Sequence, residues 1–359
     1  MPLAKNVSTY LFETKSIKSL KDLIRQRKKN EQDYVVFLID HYFSDNDLFK
    51  DYIDVNDLVL YIDTTDEPTT DQVDELTKTI RTTNIELPVS LVGIGGGSTL
   101  DITKAVSNLL TNHGNAEDYQ GWDLVKVQGI YKIGIPTISG TGAEASRTCV
   151  MMNERKNLKL GMNSEFTIYD HLILDPELTK SVPRDQYFYT GMDTYIHCVE
   201  SLEGNHRHAL ADAFSREALN LCREVFLGDE DMMSDVNRQK LMAASYLGGS
   251  ALANSFVGIV HPFSAGLSMT FHTHHCIANC LVMNQMGEFY SKWVPEFKEM
   301  LKKQKISLPS NVCKGKDEAT FQKLYDSTII HEKPLGNALG SKFREILTFE
   351  KVKEVFSKI

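Results

Sequence analysis

The sequence predicts two domains: an α/β domain built on a parallel, doubly wound sheet over residues 1–180, and an all-α domain over residues 181–359. Three observations predict this. Short β-rich runs alternate with amphipathic stretches through the first half, as strand–helix–strand crossovers do. From about Pro183 the β signal fades and apolar residues recur at helical intervals. At roughly 100–200 residues per domain, 359 residues give about two domains, with a core large enough to hold without cross-links.

In chain order, Tyr34–Ile39, Leu58–Ile62, Val89–Ile94 and Ile133–Ile135 read as strands, being short and rich in β-branched and aromatic residues. Ile17–Lys29, Asp71–Arg81 and Thr99–Leu110 read as the helices between and around them. Beyond Pro183 the segments Asp185–Leu202, Ala209–Phe226, Val236–Ala253, Cys276–Tyr290 and Phe297–Lys305 read as helices. No repeat or long flexible linker separates the halves, so they are expected to meet near Pro176–Pro183 and to hold a ligand in the cleft between them. The basic stretch Lys15–Lys29 places Ile17, Leu20, Leu23 and Ile24 on one helical face and its cations on the other, the pattern of a solvated helix.

The charge balance narrows the partners. With 39 Lys+Arg against 48 Asp+Glu the net charge is −9, which opposes binding to a nucleic-acid backbone. No run approaches the roughly 18 apolar residues of a membrane span. Six cysteines follow no framework, and Met1–Lys15 has neither an apolar core nor a cleavage pattern, so a cytoplasmic protein is expected. The pair Cys276 and Cys280 has no partner pair of similar spacing and reads as packed thiols.

Two glycine-rich turns carry the first chemical signal. Val89–Ile94 runs directly into Gly95, Gly96, Gly97 and Ser98, and a helix begins at Thr99. Consecutive glycines let the backbone approach an oxyanion, and the helix start offers free N–H groups at the positive end of its dipole. Ser98 stands where a GxGxxG fingerprint would carry its last glycine. The second turn, after Ile133–Ile135, holds Thr137, Ser139 and Thr141, hydroxyls suited to phosphate or ribose oxygens. Together the turns point to a dinucleotide. Asp40, closing its strand, is placed to accept from ribose hydroxyls and to repel a 2′-phosphate, which favours NAD; alone it reads equally well as a helix cap.

The second signal is a set of metal-type donors. Asp193 and His197 lie four residues apart, on one face of a helix. His261 and His275 are fourteen residues apart, roughly 21 Å along one continuous helix, so they share an ion only if the chain turns between them. Ser268–Thr273 permits that turn. One carboxylate and three imidazoles suit Fe²⁺ or Zn²⁺, with His272 or His274 able to replace a histidine in the count.

The turn GGGSTLD, the segment GIPTISGTGAEAS and the pairings Asp193/His197 and His261/His275 together resemble the iron-containing (group III) alcohol dehydrogenases over nearly the whole chain. The resemblance implies a nucleotide-binding α/β domain and a helical domain, with NAD and a divalent metal. It implies that Asp193, His197, His261 and His275 hold the metal and act through it, that Gly95–Ser98 bind pyrophosphate, and that Asp101, Thr137 and Thr141 touch the cofactor. Asp40, Ser139 and Lys159 join them as candidate cofactor-side residues. LPVSLVGIGGGST, Tyr119–Lys126, GIPTISGTGAEASRT and Phe188–Gly204 further resemble a subgroup acting on the C8 hydroxyl of 3-deoxy-D-manno-octulosonate (Kdo), ahead of transamination to 8-amino-Kdo for lipopolysaccharide.

That substrate is a carboxylated sugar, for which Lys159 and Arg147 are candidate cations. The alternatives are another polyol or alcohol dehydrogenase of the family, a dehydroquinate-synthase-like lyase, and an oxygen-linked oxidase. Two positions depart from the family pattern. Ala265 replaces a histidine expected near the nicotinamide, for which His274 or His272 is a stand-in and solvent exchange the plainer alternative, and the turn Tyr10–Lys15 lacks its usual glycine. A homodimer is expected.

Overall fold

The computed structural model describes residues 5–84 and 86–359; residues 1–4, at the start of the N-terminal stretch read above, and Ile85 lie outside them. The described residues cluster into two compact units, one of those up to residue 156 together with 160–181, the other of residues 157–159 and 182–359.

The strands, all in the first unit except for Leu158 and Lys159 at the start of β8, are β1 (Thr9–Phe12), β2 (Val35–Asp40), β3 (Leu58–Ile62), β4 (Ser90–Gly95), β5 (Gly121–Trp122), β6 (Lys132–Pro136), β7 (Thr148–Asn153), β8 (Leu158–Asn163) and β9 (His171–Leu174). Six of them form a parallel sheet in the order β1-β9-β6-β4-β2-β3, and β5-β8-β7 form a smaller one. Strand β2 shows why the sheet is covered on both faces. Val36 and Leu38 pack with Val73, Ile80, Ile102 and Val106, which come from helices α2 (Thr70–Thr83) and α3 (Gly97–Thr111). Val35, Phe37 and Ile39 point the other way, onto Leu20 and Ile24 of α1 (Leu20–Arg27), Phe43 and Phe49. A strand buried on both faces reads as a continuous apolar run, as VVFLI does. Truncating such a side chain, as in Leu38→Ala, costs about 2–5 kcal/mol.

The order of strands fixes where a ligand belongs. From β2 the chain moves outward to β3, then crosses back to β4, and continues through β6 to β9 on the other side. Its direction changes between β2 and β4, and open α/β sheets bind ligands beyond the carboxyl ends of the strands at such a point. Asp40 ends β2 and Gly95 ends β4.

The second unit is helical: α4 (Arg184–Glu203), α5 (Ala209–Leu227), α6 (Asp235–Asn254), α7 (Val260–Phe271), α8 (His275–Met283), α9 (Val294–Gln304), α10 (Glu318–Ile329) and three shorter helices ending at Phe356. The expected helix over Cys276–Tyr290 is shorter in the structure, because α8 stops at Met283 and a separate 3₁₀ turn covers Met286–Glu288. The expected helix Ile17–Lys29 also divides, into a 3₁₀ turn at Ser16–Ser19 and then α1. Among the described residues no helix is long and apolar enough to cross a membrane. All six cysteines are buried, and none is joined in a disulfide.

Candidate functional site

The glycine turn of the first unit is a close-packed junction. A Cβ added to Gly95 would stand 2.6 Å from Thr99 Oγ1 and 3.0 Å from Asp40 Cβ; one added to Gly97 would meet Thr141 Oγ1 at 2.9 Å. Only glycine lets the ends of β2 and β4, the start of α3 and the second turn come together there. Thr137 N–H donates to Gly95 O at 2.9 Å, joining the turns by their backbones. Gly96 caps α3, whose first turn, opening with Gly97 and Ser98, holds no acidic residue; its unpaired N–H groups and positive dipole end favour an anion. Thr137 and Ser139 are buried at its edge.

Two acids near this turn already have structural partners. Asp40 Oδ1 accepts from Tyr42 N–H at 3.0 Å, and Thr64 Oγ1 donates to both its carboxylate oxygens. Asp101 accepts from Val150 N–H at 2.9 Å and pairs with Lys104 at 2.9 Å. Burial raises its pKa against the pull of Lys104. Lys104, itself fully buried, donates to Ala143 O at 2.8 Å, so Asp101 and Lys104 brace the second turn from behind. Arg147 pairs with Asp123, which makes it a structural charge and weakens its case as a substrate cation. The turn after β1, which lacks a glycine, places Lys15 in the left-handed region (φ 65°), held by Asp175 Oδ1 accepting its N–H at 2.9 Å.

In the second unit the four expected metal ligands converge. Asp193 and His197 sit one turn apart on α4, His261 is the second residue of α7, and His275 opens α8. The chain reverses between the histidines because α7 ends at Phe271 and the residue that follows, His272, is left-handed (φ 53°, ψ 32°). One donor atom from each of the four residues lies within 4.8 Å of the others. Asp193 Oδ1 is 3.4 Å from both His197 Nε2 and His261 Nε2, and Oδ2 is 3.7 Å from His275 Nε2. Bonds of about 2.1 Å in a tetrahedral set separate ligand atoms by roughly 3.4 Å, so these donors fit a divalent cation. His272 and His274 are exposed and stand outside the cluster, so neither replaces a ligand. Ala265 is buried one turn after His261.

The electrostatics agree with a cation site. Burial works to raise the Asp193 pKa, but the three imidazoles overcome it and hold the carboxyl well below the usual range. Burial lowers His197 to about 4 against the pull of Asp193. Burial also opposes the charge on His261, yet Glu200 and Asp193 outweigh it and raise that imidazole to about 9.

Glu200 was not apparent in the sequence. It follows His197 by three residues on the same face of α4, is fully buried, accepts from Val260 N–H at 2.6 Å and pairs with His261 Nδ1. This leaves His261 Nε2 facing the cluster, the orienting arrangement common around metal-bound histidines. Asn279, one turn after His275, was missed as well; its Nδ2 donates to Asp193 Oδ1 at 2.7 Å. The helical spacings Asp193/His197/Glu200 and His275/Asn279 were the available signal. Lys159 is buried, and its Nζ lies 3.3 Å from Ser268 Oγ, seven residues after His261 on α7 and on the same face.

Comparisons with known proteins place this geometry in a lineage. The profile of "Iron-containing alcohol dehydrogenase" matches residues 8–176, and that of "Fe-containing alcohol dehydrogenase family, C-terminal" matches residues 187–328. The chain is 29% identical over 271 residues to sulfoacetaldehyde reductase of Bilophila wadsworthia, covering 74% of this chain and 66% of that one. It is 29% identical to the NAD-dependent methanol dehydrogenase of Bacillus methanolicus over 65% of this chain and 61% of that one. The matched stretch thus spans less than two thirds of these relatives. Among solved structures, sulfoacetaldehyde reductase from Bifidobacterium kashiwanohense in complex with NAD⁺ superposes with a TM-score of 0.81 at 19% identity, covering 99% of this chain and 98% of that one. The iron-containing alcohol dehydrogenase of Thermotoga maritima gives 0.81 at 21% identity, covering 99% and 98%. With both halves matched and the Asp–His₃ cluster assembled, the chain belongs to the iron-containing alcohol dehydrogenase family.

Proposed function

We propose that this protein is an NAD-linked, metal-dependent dehydrogenase that oxidises the primary alcohol of a sugar acid to the aldehyde, with the C8 hydroxyl of Kdo as substrate. The product would go on to transamination for lipopolysaccharide. The observation that carries the reading is the Asp193–His197–His261–His275 cluster, a donor set with the spacing of a divalent ion, Fe²⁺ or Zn²⁺. A cation there supplies Lewis acidity toward a hydroxyl, and NAD⁺ supplies the hydride acceptor.

The chain's own groups do the rest. Glu200 holds the His261 ring with Nε2 toward the cluster. Gly95–Ser98 bind the pyrophosphate with backbone N–H groups, while Thr137, Ser139 and Thr141 line its edge. Asp40 orients the adenosine ribose. Ser268, whose Oγ is 3.3 Å from Lys159 Nζ, lies about 10 Å along α7 from His261, an offset that suits a sugar whose carboxylate and reacting hydroxyl are at opposite ends. The acid function distinguishes this substrate from simple alcohols. The subgroup segments, Tyr119–Lys126 and Phe188–Gly204 among them, support Kdo.

The relatives support a second reading, a short alcohol or aldehyde. Sulfoacetaldehyde, named for two of them, also carries an anion that Lys159 would suit.

The test is absorbance at 340 nm with metal-loaded protein, NAD⁺ and a panel of Kdo, glycerol, methanol, 1-propanol and other sugar acids, with NADH and sulfoacetaldehyde in the reverse direction. NADH formation with Kdo alone supports the first reading. Turnover of short substrates without Kdo replaces it with the second. Peroxide without NADH, or product without either, moves the assignment to an oxidase or a lyase. The protein is expected to act as a cytoplasmic homodimer on this small-molecule substrate, without nucleic acid or membrane.

A further inference from the structure

Asn279 lies against three of the four donor residues. Its Nδ2 donates to Asp193 Oδ1 at 2.7 Å and lies 3.3 Å from His261 Nε2 and 3.2 Å from His275 Nε2. The residue is fully buried, and its Oδ1 is buried with no hydrogen-bond partner among the described residues. A carboxamide so placed is costly unless its N–H groups are used. They are used on the donor cluster. His261 Nδ1 is committed to Glu200, so the ring turns Nε2 toward the cluster, where the amide nitrogen lies against it. Asp193 is tethered on its other oxygen as well, where Cys276 Sγ approaches Oδ2 at 3.7 Å. The carboxylate is therefore held from both sides.

We propose that Asn279 is a positioning residue of the metal centre. Its amide fixes the Asp193 carboxylate and closes one side of the donor set. The donors then stand in place before a cation arrives, and exchange with substrate is confined to the side the amide does not cover. Holding the ligands in one arrangement also restricts which coordination geometry the site accepts, which bears on the choice between iron and zinc. The proposal rests on the reading of Asp193, His197, His261 and His275 as metal ligands.

The test compares the wild-type protein with Asn279→Leu, which keeps volume and removes the donor, and Asn279→Ala, which removes both. Zn²⁺ affinity is measured by competition with a chromogenic chelator, Co²⁺-substituted protein is read by its d–d absorption, and melting temperatures are taken with and without metal. Both variants should lose Zn²⁺ affinity by roughly 10–100-fold and change the Co²⁺ spectrum, since losing an outer-shell partner of a metal ligand typically has an effect of that size. If only the Ala variant melts lower, and both keep wild-type affinity and spectrum, the amide is core packing and the proposal is overturned. If one variant does not fold, the affinity and spectrum of the other decide. A folded wild-type protein that takes up neither Zn²⁺ nor Co²⁺ at one ion per chain would overturn the metal reading itself, and the proposal with it.

Discussion

The two candidate sites are built by opposite means. The cradle of the first unit is made of backbone and small residues, contiguous in sequence and placed at the sheet's change of direction. The cluster of the second unit is made of side chains drawn from residues 193 to 275 on three helices, with His261 braced by the buried Glu200 and Asp193 by the buried Asn279. The backbone site depends on the absence of side chains and so fails by steric intrusion. The side-chain site depends on each donor and fails by deletion. Substitutions in the two sites should therefore separate cleanly, one set changing cofactor affinity and the other metal content.

The largest effect is expected from His261→Ala. Losing a ligand should strip the metal and lower kcat/KM by on the order of 10³-fold, equivalent to about 4 kcal/mol of transition-state stabilisation. Metal analysis of the purified variant checks the cause, and full metal content with full turnover would exclude this donor set. Next is Glu200→Gln, which removes the charge that orients His261 and should weaken metal binding by about 10–100-fold while cofactor affinity stays unchanged.

Gly95→Ala tests the other side of the comparison. Its Cβ would intrude on Thr99 and Asp40, so KM for NAD⁺ should rise by about tenfold or more with metal content intact. Loss of metal in this variant would contradict the separation.

A smaller effect is expected from Lys159→Met. It should raise KM for an anionic substrate several-fold and leave a neutral alcohol unaffected, which kinetics on the two substrates would show.

The smallest is a pH effect on the metal-free protein. His197, lowered to about 4, binds fewer protons when folded, so stability rises with pH between about 4 and 6.5. His261, raised to about 9, binds more protons when folded, so its contribution is present below about 6.5 and is lost as pH rises through 9. Melting temperature should therefore peak near pH 6.5, within a few degrees overall, and bound metal should remove the alkaline fall, because ligation replaces the proton on His261. An unchanged alkaline limb in the metal-loaded protein would contradict this.

The same contrast explains what the sequence disclosed. The central strands were legible because burial on both faces writes a continuous apolar run, as in VVFLI, and the glycine turn was legible because its function needs adjacent residues. Strand β1, TYLF, escaped notice because it is an edge strand with exposed side chains. Strands β7 and β8 did so because TCVMMN and LKLGMN mix polar and apolar residues without a steady alternation. The four donors were legible as residue types and spacings, but the turn between His261 and His275 rests on His272 in a left-handed conformation that residue type does not announce. Glu200 and Asn279 carry no motif of their own, and their role comes only from the helix faces that bring them to His261 and Asp193. Lys15 shows the reverse case, where a missing glycine implied a changed turn and a lysine tethered by Asp175 keeps the left-handed backbone.

The central claim is that the Asp193–His197–His261–His275 cluster and the glycine cradle serve one NAD-linked oxidation. The most direct measurement is absorbance at 340 nm with NAD⁺ and Kdo, first on metal-stripped protein and then after reloading with Fe²⁺ or Zn²⁺. The account predicts no NADH from the stripped protein and steady NADH formation after reloading. Equal rates before and after would contradict it.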